Sequence, residues 1–422
     1  MDVDLLVTGI GDLCRMGPGS GRQAGAAQAD AGSVRDAALA VRDGVVVASG
    51  PREEVERAIG RAGEVIEAGG RTVLPGWVDA HTHLLFAGTR EDEFALRLAG
   101  KTYREIAALG GGIHASVRHF REASDEAILE RSRRNLDLAL ALGTTTMEIK
   151  SGYGLSPEEE LRALRLIRRL RESHAVDVVP TFLGAHELPR EWRHDRAGYV
   201  SLVAETMIPR VAEDGLAEFC DVFCEDGVFT EEESRVILEA ARAHGLGLKV
   251  HADEFGDTGG GRLAARLRAV SADHLHGTAL DTIPALVLAG TVGVLLPGTA
   301  FFLGLPRQAP ARAMIDAGLP VAVASDMNPG SSMSQSMPLM ITLACVNLGL
   351  GPEEALVAAT VNGAAALARA DRVGRLRTGY RADFQILDLP GHRLLPYHYG
   401  VSHVLAVFRA GRRVAGAPLA SA

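Results

Sequence analysis

Residues 73–83 read VLPGWVDAHTH, an apolar run that ends in two histidines separated by one residue. Short apolar runs of this kind recur as far as residue 326, and longer helix-like segments lie between them. This alternation is typical of βα units around a parallel sheet. The candidate strands are residues 73–83, 144–152, 176–187, 219–225, 246–255, 270–277, 292–298 and 320–326. Eight strands with alternating helices predict an α/β fold, a (β/α)8 TIM-like barrel.

The segments between these strands carry helix signals. Residues 156–173 and 230–245 are helix-like. The second segment opens with Thr230 as a candidate N-cap and an acidic first turn, and Gly245 closes it. We therefore predict helices in both segments.

The two ends of the chain differ in character from the middle. Before the barrel, the strand-like runs are residues 4–9, 37–50 and 63–76, and after it a helix over residues 360–370 precedes strand-like residues 375–390 and 403–414. We predict that the two ends pair into one small β-sandwich domain. The predicted division is residues 1–70 and 369–422 for the sandwich and 71–368 for the barrel.

Composition narrows the class of protein. The chain has 422 residues, of which 47% are hydrophobic, and its net charge of −9 argues against nucleic acid or an anionic membrane as the main partner.

The most apolar stretch, residues 285–304, is interrupted by glycine and proline, so we predict a helix end, a buried strand and a turn rather than a membrane span. The N-terminus does not have the pattern of a signal peptide, which favours the cytoplasm. Four cysteines form no disulfide framework, and Cys220 and Cys224 are predicted to be buried thiols.

Polar side chains stand at the ends of several predicted barrel strands. His81 and His83 are two residues apart on a strand, so both side chains point to the same side. An isolated pair of this kind is more often a surface or core feature. The other candidates are His186, His251, His274 and Asp326, at the ends of the third, fifth, sixth and eighth strands. Barrel enzymes keep their chemistry at these carboxyl ends.

Such a set of side chains predicts a metal centre. Three histidines and one carboxylate suit Zn²⁺, although Fe²⁺ or Mn²⁺ would also accept them. A site with room left for water is catalytic rather than structural, and the bound water would have a pKa of ~7.

The motifs then resemble the amidohydrolase superfamily. PGWVDAHTH after a β-rich N-terminus, a later strand-end histidine, an HxxE pair and a final SD are its pattern. Binuclear members of that superfamily use a lysine, often carboxylated, to bridge two metals, and Lys150 is the candidate here. The HADE sequence at residues 251–254 resembles the mononuclear branch instead, so we do not expect Lys150 to be a ligand.

A narrower resemblance is to the imidazolonepropionase family. It rests on FAGTREDEFALRLAGKTY (86–103), EIKSGYGL (148–155), TFLGAHELP (181–189), HADEF (251–255) and SDMNPGSS (325–332). The resemblance covers essentially the whole chain. It implies hydrolysis of a small-molecule substrate, 4-imidazolone-5-propanoate, to N-formimidoyl-L-glutamate in histidine degradation. It also implies one divalent metal per chain, with zinc favoured over iron, and a homodimer.

The resemblance assigns roles to residues at the matching positions. His81, His83, His251 and Asp326 would be the metal ligands, and Asp326 would also take a proton from the attacking water. The alternative for Asp326 is a helix N-cap. Glu254 would pass a proton to the leaving nitrogen and approach the substrate ring, with a surface glutamate as the alternative.

Further roles concern the substrate. His274 would orient water or polarise the carbonyl, and His186 would bind substrate, unless each is a buried histidine with its hydrogen bonds satisfied. Arg90 would bind the propionate through its guanidinium fork, with a surface ion pair as the alternative. Tyr153 would contact the substrate. Asn328, Gly330 and Ser331 would bind a polar end of the substrate, unless they form an ordinary turn.

Two rival interpretations remain at this stage. One is a related deaminase or cyclic amide hydrolase that acts on another heterocycle, which the metal site alone does not distinguish. The other is a non-catalytic barrel scaffold, which predicts that the metal ligands are lost, whereas all four are present.

Overall fold

The structure, a computed structural model, describes residues 1–101, Glu105 and residues 110–417. Residues 102 and 103 of the motif at 86–103 therefore lie outside the described residues. The strands are β1 (Val3–Cys14), β2 (Ser33–Arg42), β3 (Val45–Pro51), β4 (Ala62–Glu67), β5 (Thr72–Pro75), β6 (Trp77–Asp79), β7 (Thr144–Lys150), β8 (Asp177–Ala185), β9 (Phe219–Cys224), β10 (Gly247–Ala252), β11 (Ser271–His274), β12 (Val292–Leu295), β13 (Val321–Val323), β14 (Phe384–Leu387), β15 (Val404–Arg409) and β16 (Arg412–Gly416).

Helices cover most of the connections between the barrel strands, and others lie beside the sheet of the chain ends or after the last barrel strand. They are α1 (Arg52–Ala58), α2 (Glu91–Leu98), α3 (Ile113–Glu122), α4 (Asp125–Ala141), α5 (Pro157–Ser173), α6 (Arg196–Leu202), α7 (Ile208–Glu213), α8 (Glu231–Ala243), α9 (Gly260–Arg266), α10 (Ile283–Ala289), α11 (Pro297–Leu303), α12 (Ala311–Asp316), α13 (Met337–Leu348), α14 (Pro352–Val357), α15 (Gly363–Ala366) and α16 (Leu394–Tyr397). Short 3₁₀ helices are Gly25–Ala29, Arg190–Trp192 and Leu280–Thr282, and π-helical turns are Val203–Met207 and Ala358–Asn362.

The barrel is built from β6 to β13, which pair in parallel in chain order. Its first and last strands meet just beyond their ends, where Thr82 and Met327 form a parallel bridge. His83 N donates to Met327 O at 3.0 Å, and Asp326 N donates to His81 O at 3.0 Å. The predicted (β/α)8 barrel is confirmed, and each predicted strand contains an observed one.

The first predicted strand, residues 73–83, is divided between two sheets. β5 pairs with β1 and β14, whereas β6 pairs with β7 in the barrel. The chain passes from one sheet to the other at Gly76. A Cβ atom at Gly76 would lie 2.2 Å from Thr145 Oγ1, so the crossing requires glycine.

The two chain ends form one eight-stranded sheet, as predicted for the small β domain. Its order is β16-β15-β14-β5-β1-β2-β3, and β4 pairs with β1. The rings of Phe384 and Phe408, on neighbouring strands, stack with centroids 4.3 Å apart. They belong to a core that includes Ile10 and Val73, so residues from both ends are buried together.

The predicted helices form for local reasons that the sequence shows. Thr230 caps α8 through a capping box with Glu233, and the buried face of that helix includes Ile237 and Leu238. In residues 285–304 the structure has the end of α10, buried β12 and then α11, where a turn was predicted. The helix predicted over residues 360–370 ends at Ala366.

Two further predictions concern burial and the membrane. Cys220 and Cys224 are free buried thiols, as predicted. Within the described ranges, we find no helix with the length and apolar character needed to cross a membrane.

Candidate active site

The junction of the first and last barrel strands brings together three of the candidate ligands, His81, His83 and Asp326. Asp326 Oδ1 lies 3.5 Å from His81 Nε2 and 3.6 Å from His83 Nε2. Asp326 has a φ of 51°, in the left-handed region that a side chain other than glycine rarely adopts. Such backbone strain concentrates at functional sites, where the surrounding structure holds it.

His251 completes the group from the end of β10. Its Nε2 atom lies 3.2 Å from His83 Nε2. One nitrogen from each of His81, His83 and His251 falls within 4.8 Å of the others, and all three side chains are buried. The structure therefore places the four residues that were predicted as ligands around one point.

Carboxylates behind two of the rings determine which nitrogen faces that point. His81 Nδ1 lies 2.6 Å from Asp273 Oδ2, and His251 Nδ1 lies 2.9 Å from Asp221 Oδ2. Asp273 accepts the N–H of His81, which leaves the lone pair of that ring on Nε2, and the Asp221 carboxylate close to His251 Nδ1 favours the same arrangement in that ring. His81 Nε2 is buried and has no hydrogen-bond partner among the described residues.

The electrostatics of the histidines suit a metal. Burial, together with nearby Lys150, holds the pKa of His81 well below its usual range. Burial, together with nearby His186, does the same to the pKa of His83. Neutral rings with a free lone pair are the form that binds a cation. This donor set, three imidazole nitrogens and a carboxylate oxygen, fits a divalent metal.

Asp326 also has the features of a base. Its Oδ2 atom accepts a hydrogen bond from Thr299 Oγ1 at 2.6 Å. Burial raises the pKa of Asp326 to about 6, against the lowering effect of Thr299. The alternative of a helix N-cap is excluded, because the next described helix is α13, which Ser336 caps.

His274 and Glu254 form a second polar pair beside the ligands. His274 Nε2 lies 3.6 Å from Glu254 Oε2, and neither ring nitrogen of His274 has a hydrogen-bond partner in the described part of the chain. Burial raises the pKa of Glu254 well above its usual range, and the charges of Asp326 and Glu225 add to the effect. Glu254 is therefore not a surface glutamate, and His274 is not a satisfied buried histidine.

The rings of His186 and Tyr153 lie next to the ring of His83. The ring of His186 stacks on that of His83, with centroids 4.7 Å apart, and lies 5.5 Å from the ring of Tyr153. His186 Nδ1 donates to Gly152 O at 3.0 Å, which leaves the lone pair on Nε2. Burial lowers the pKa of His186 to about 3, so its ring is neutral.

Arg90 lies over the loop of residues 328–331. Its Nη2 donates to Glu93 Oε2 at 2.7 Å, so the ion pair considered above is present, whereas its buried Nε has no partner among the described residues. A Cβ atom at Gly330 would lie 2.3 Å from Arg90 Nη1. The guanidinium therefore packs directly on the Gly330 backbone.

The loop itself is a turn organised by Asn328. Asn328 Oδ1 accepts from the backbone N of Gly330 at 2.7 Å and of Ser331 at 2.8 Å. Its Nδ2 donates to Asp326 O at 2.7 Å and to Ser331 Oγ at 2.8 Å. The turn considered above is thus present, and it is tied to the candidate base.

One pocket of about 580 Å³ unites these groups at the carboxyl ends of the barrel strands. Its lining includes His83, Arg90, Tyr153, His186, His251, Glu254, His274, Asp326, Asn328, Gly330 and Ser331. His81 lies beneath them. A pocket of this size, with a few convergent polar groups, suits a small molecule.

Several residues around the centre had no role assigned from the sequence, and Lys150 was considered only as a bridging metal ligand. Asp221, Asp273 and Thr299 contact the candidate ligands, and Lys150 and Lys249 lie among the carboxylates. Lys150 Nζ lies 2.8 Å from Asp221 and 2.7 Å from Glu148, so it is paired as a cation. For the four charged residues, the signal that could have indicated them is an ionisable side chain inside an otherwise apolar strand, whereas Thr299, in α11, carries no such signal.

Comparisons with known proteins identify relatives of this chain. The amidohydrolase family model matches residues 72–414. The imidazolonepropionase of Geobacillus kaustophilus (strain HTA426) is 50% identical over 388 residues, which cover 91% of each chain. The imidazolonepropionase of Symbiobacterium thermophilum is 52% identical over 415 residues, covering 98% of this chain and 97% of the relative.

The fold also resembles solved structures at much lower identity. A crystal structure of an adenosine deaminase from Xanthomonas campestris with bound zinc matches with a TM-score of 0.72 and 19% identity. The match covers 98% of this chain and 93% of that one. From the family model and the relatives together, the chain belongs to the amidohydrolase family, within its imidazolonepropionase branch.

Proposed function

We propose that this chain hydrolyses 4-imidazolone-5-propanoate to N-formimidoyl-L-glutamate, a step of histidine degradation. The identity of about half of all residues to imidazolonepropionases, over nearly the whole chain, carries the choice of substrate. The pocket supports a hydrolytic reaction, because it holds a candidate metal centre, a base and a proton donor. Water adds to the ring carbonyl carbon, and the bond from that carbon to the ring nitrogen breaks.

The proposed metal ligands are His81, His83, His251 and Asp326. The ion that we propose is zinc, with iron as the alternative, because both accept this mixture of nitrogen and oxygen donors. When bound, a divalent cation lowers the pKa of water and withdraws electrons from a carbonyl. The remaining chemistry falls to side chains of the chain itself.

Asp326 is the proposed general base. With a pKa of about 6, its carboxylate is ionised at neutral pH and can take a proton from the attacking water. Thr299 holds one oxygen through its hydroxyl, which orients the carboxylate. His274, whose ring nitrogens have no hydrogen-bond partner among the residues that the structure describes, would orient the water or donate its N–H to the carbonyl oxygen.

Glu254 is the proposed general acid. Burial raises its pKa, which favours the protonated carboxyl group that can give a proton to the leaving ring nitrogen. The carbonyl carbon becomes the new carboxylate, and the ring nitrogen becomes the formimidoyl nitrogen. One water is consumed in the reaction.

The proposed substrate contacts surround this centre. Arg90 would bind the propionate through its guanidinium, because a guanidinium matches a carboxylate in geometry and charge. Tyr153, His186 and Glu254 would contact the ring. The loop of Asn328, Gly330 and Ser331 would border a polar end of the substrate, with Asn328 holding its shape.

Two finer predictions belong to the same proposal. A homodimer follows from the family resemblance and from the prevalence of two-fold assemblies. A cytoplasmic location stays a prediction from the sequence.

The direct test generates the unstable substrate in place from urocanate with urocanase. Ring absorbance and formiminoglutamate are then followed together, with the wild type and with Asp326→Asn. Rapid loss with the wild type and near-background loss with the variant are expected. Equal rates with and without metal-loaded wild type would contradict the proposal and favour an amidohydrolase of another heterocycle.

A further inference from the structure

Beneath the candidate ligands lies a group of five ionisable side chains that we call the buried charge group. Its members are Glu148 and Lys150 from β7, Asp221 from β9, Lys249 from β10 and Asp273 from β11, and all five are 0% exposed. Removing charges from water is costly, and apolar residues would fill a barrel core at less cost. Two ammonium groups facing three carboxylates therefore call for an explanation other than packing.

Lys150 lies at the centre of this group. Its Nζ atom lies 2.8 Å from Asp221 Oδ2, 2.7 Å from Glu148 Oε2 and 3.8 Å from Asp273 Oδ2. β7 and β9 are not neighbours, since β8 lies between them. The contact with Asp221 thus crosses the barrel interior.

The same carboxylate oxygens face the ligand rings. Asp221 Oδ2 lies 2.9 Å from His251 Nδ1, and Asp273 Oδ2 lies 2.6 Å from His81 Nδ1. Each oxygen thus stands between the Lys150 ammonium and one ligand imidazole. The other oxygen of Asp221 accepts backbone hydrogen bonds from Val222 at 2.8 Å and His251 at 3.1 Å.

Lys249 differs in what it contacts. Its Nζ atom lies 3.0 Å from Glu148 Oε1, donates to Ala80 O at 3.0 Å and lies 3.9 Å from Asp273. It belongs to the same core, carries the same charge and is equally buried. Among the described residues, however, Lys249 makes no ion pair with Asp221, the carboxylate beside His251, which makes it a control for that one contact.

We propose that Lys150 is a positioning residue for the metal centre, which holds Asp221 in the place from which it orients the ligand His251. The role rests on the proposed ligand set. Carboxylates that orient ligating histidines contribute about 10–100-fold to metal affinity. Loss of Lys150 lets the Asp221 carboxylate move away from His251, so the ring no longer keeps Nε2 directed at the metal.

The experiment measures the Zn²⁺ dissociation constant of the full-length chain by competition with a chelator. Lys150→Met is expected to weaken Zn²⁺ binding about 10–100-fold. Lys249→Met removes an equally buried ammonium, and we expect it to change Zn²⁺ affinity less than threefold. The melting temperature of each metal-free variant is measured alongside. If both variants lose a similar amount of melting temperature but only Lys150→Met loses Zn²⁺ affinity, lower stability does not account for the loss of affinity.

A double variant covers the case in which Lys150→Met alone does not fold. Lys150→Met with Asp221→Asn leaves neither partner of the pair as an unmatched buried charge. It is expected to show no greater loss of Zn²⁺ affinity than Asp221→Asn alone, because the lysine acts through that carboxylate.

The outcomes separate the two hypotheses. Zn²⁺ affinity of wild-type strength in Lys150→Met, additive losses in the double variant, or an equal loss in Lys249→Met would each overturn the positioning role alone. A wild-type chain that takes up no Zn²⁺ would overturn the metal centre, and the positioning role with it.

Discussion

Asp273 Oδ2 lies 2.6 Å from Nδ1 of His81, and both side chains are fully buried. The carboxylate accepts the ring N–H, so the Nε2 lone pair of His81 faces Asp326 and His83. A residue with no direct access to the pocket thereby determines how a candidate ligand is presented.

Asp273→Asn is expected to weaken metal binding about tenfold or more, because an amide oxygen accepts the ring N–H less strongly than a carboxylate. Zinc titration of the metal-free protein measures the change. Asp137→Asn is the control, since Asp137 lies 3.0 Å from His174 at the surface. An unchanged zinc affinity in Asp273→Asn would contradict the assigned role.

Arg90→Met is expected to lower kcat/KM for imidazolonepropionate by roughly 10–200-fold, the range for a lost charged hydrogen bond of about 1.5–3 kcal/mol. For an imidazolone substrate that lacks the propionate, Arg90→Met should lower kcat/KM far less. Glu93→Gln tests the alternative, since Arg90 pairs with Glu93 at 2.7 Å. If the ion pair were the only role of Arg90, the two variants would behave alike with both substrates.

Glu254→Gln keeps the shape of the side chain and removes the proton that its raised pKa retains. The expected result is a fall in kcat of about 10²–10⁴-fold, as for loss of a general acid. Zinc affinity should stay within threefold of the wild type, because Glu254 is not a proposed ligand. A variant with full kcat would remove Glu254 from the mechanism, and one that lost its metal would make it a ligand instead.

The strand ends were the informative part of the sequence. His81 and Asp326 follow apolar strands and His251 lies near the end of one, and parallel strands deliver their carboxyl ends to one rim. Their convergence could therefore be predicted without knowing any distance. The HADE motif similarly placed Glu254 near His251, in a pocket that the structure confirms as shared.

The buried charge group and the sheet crossing were not predictable in the same way. Lys150 contacts Asp221 across the barrel interior, 71 residues away, and such a pair depends on strand stagger rather than on local pattern. The change of sheet at Gly76 is hidden because β5 and β6 read as one apolar run. What decides the break is the contact with Thr145, which belongs to another strand.

The last prediction concerns pH and a pair that joins the two chain ends. His392 Nδ1 lies 2.7 Å from Asp12 Oδ2, and Glu353, Ser33 and Arg35 also face the pair. Burial alone would raise the pKa of Asp12, but hydrogen bonds from His392 and Ser33 lower it from 3.8 to about 2. Burial opposes a charge on His392 as well, yet its bonds to Asp12 and Glu353 raise its pKa above 6.5.

The signs of these shifts define a pH window. The contribution of Asp12 is present above its unfolded pKa of 3.8 and is lost as pH falls through about 2. The contribution of His392 is complete below 6.5 and is lost as pH rises through its raised folded pKa. The pair therefore stabilises the protein most between pH 3.8 and 6.5.

His392→Gln should lower the free energy of unfolding by about 1–2 kcal/mol inside that window, after allowance for screening by solvent. The difference from the wild type should shrink towards alkaline pH, where His392 loses its proton, and towards strongly acidic pH, where Asp12 gains one. Chemical denaturation at a series of pH values measures this difference, with His403→Gln as a control, since His403 Nε2 donates to the backbone oxygen of His398. A difference that stays constant from strongly acidic to alkaline pH would mean that His392 stabilises the fold by packing and not by its charge.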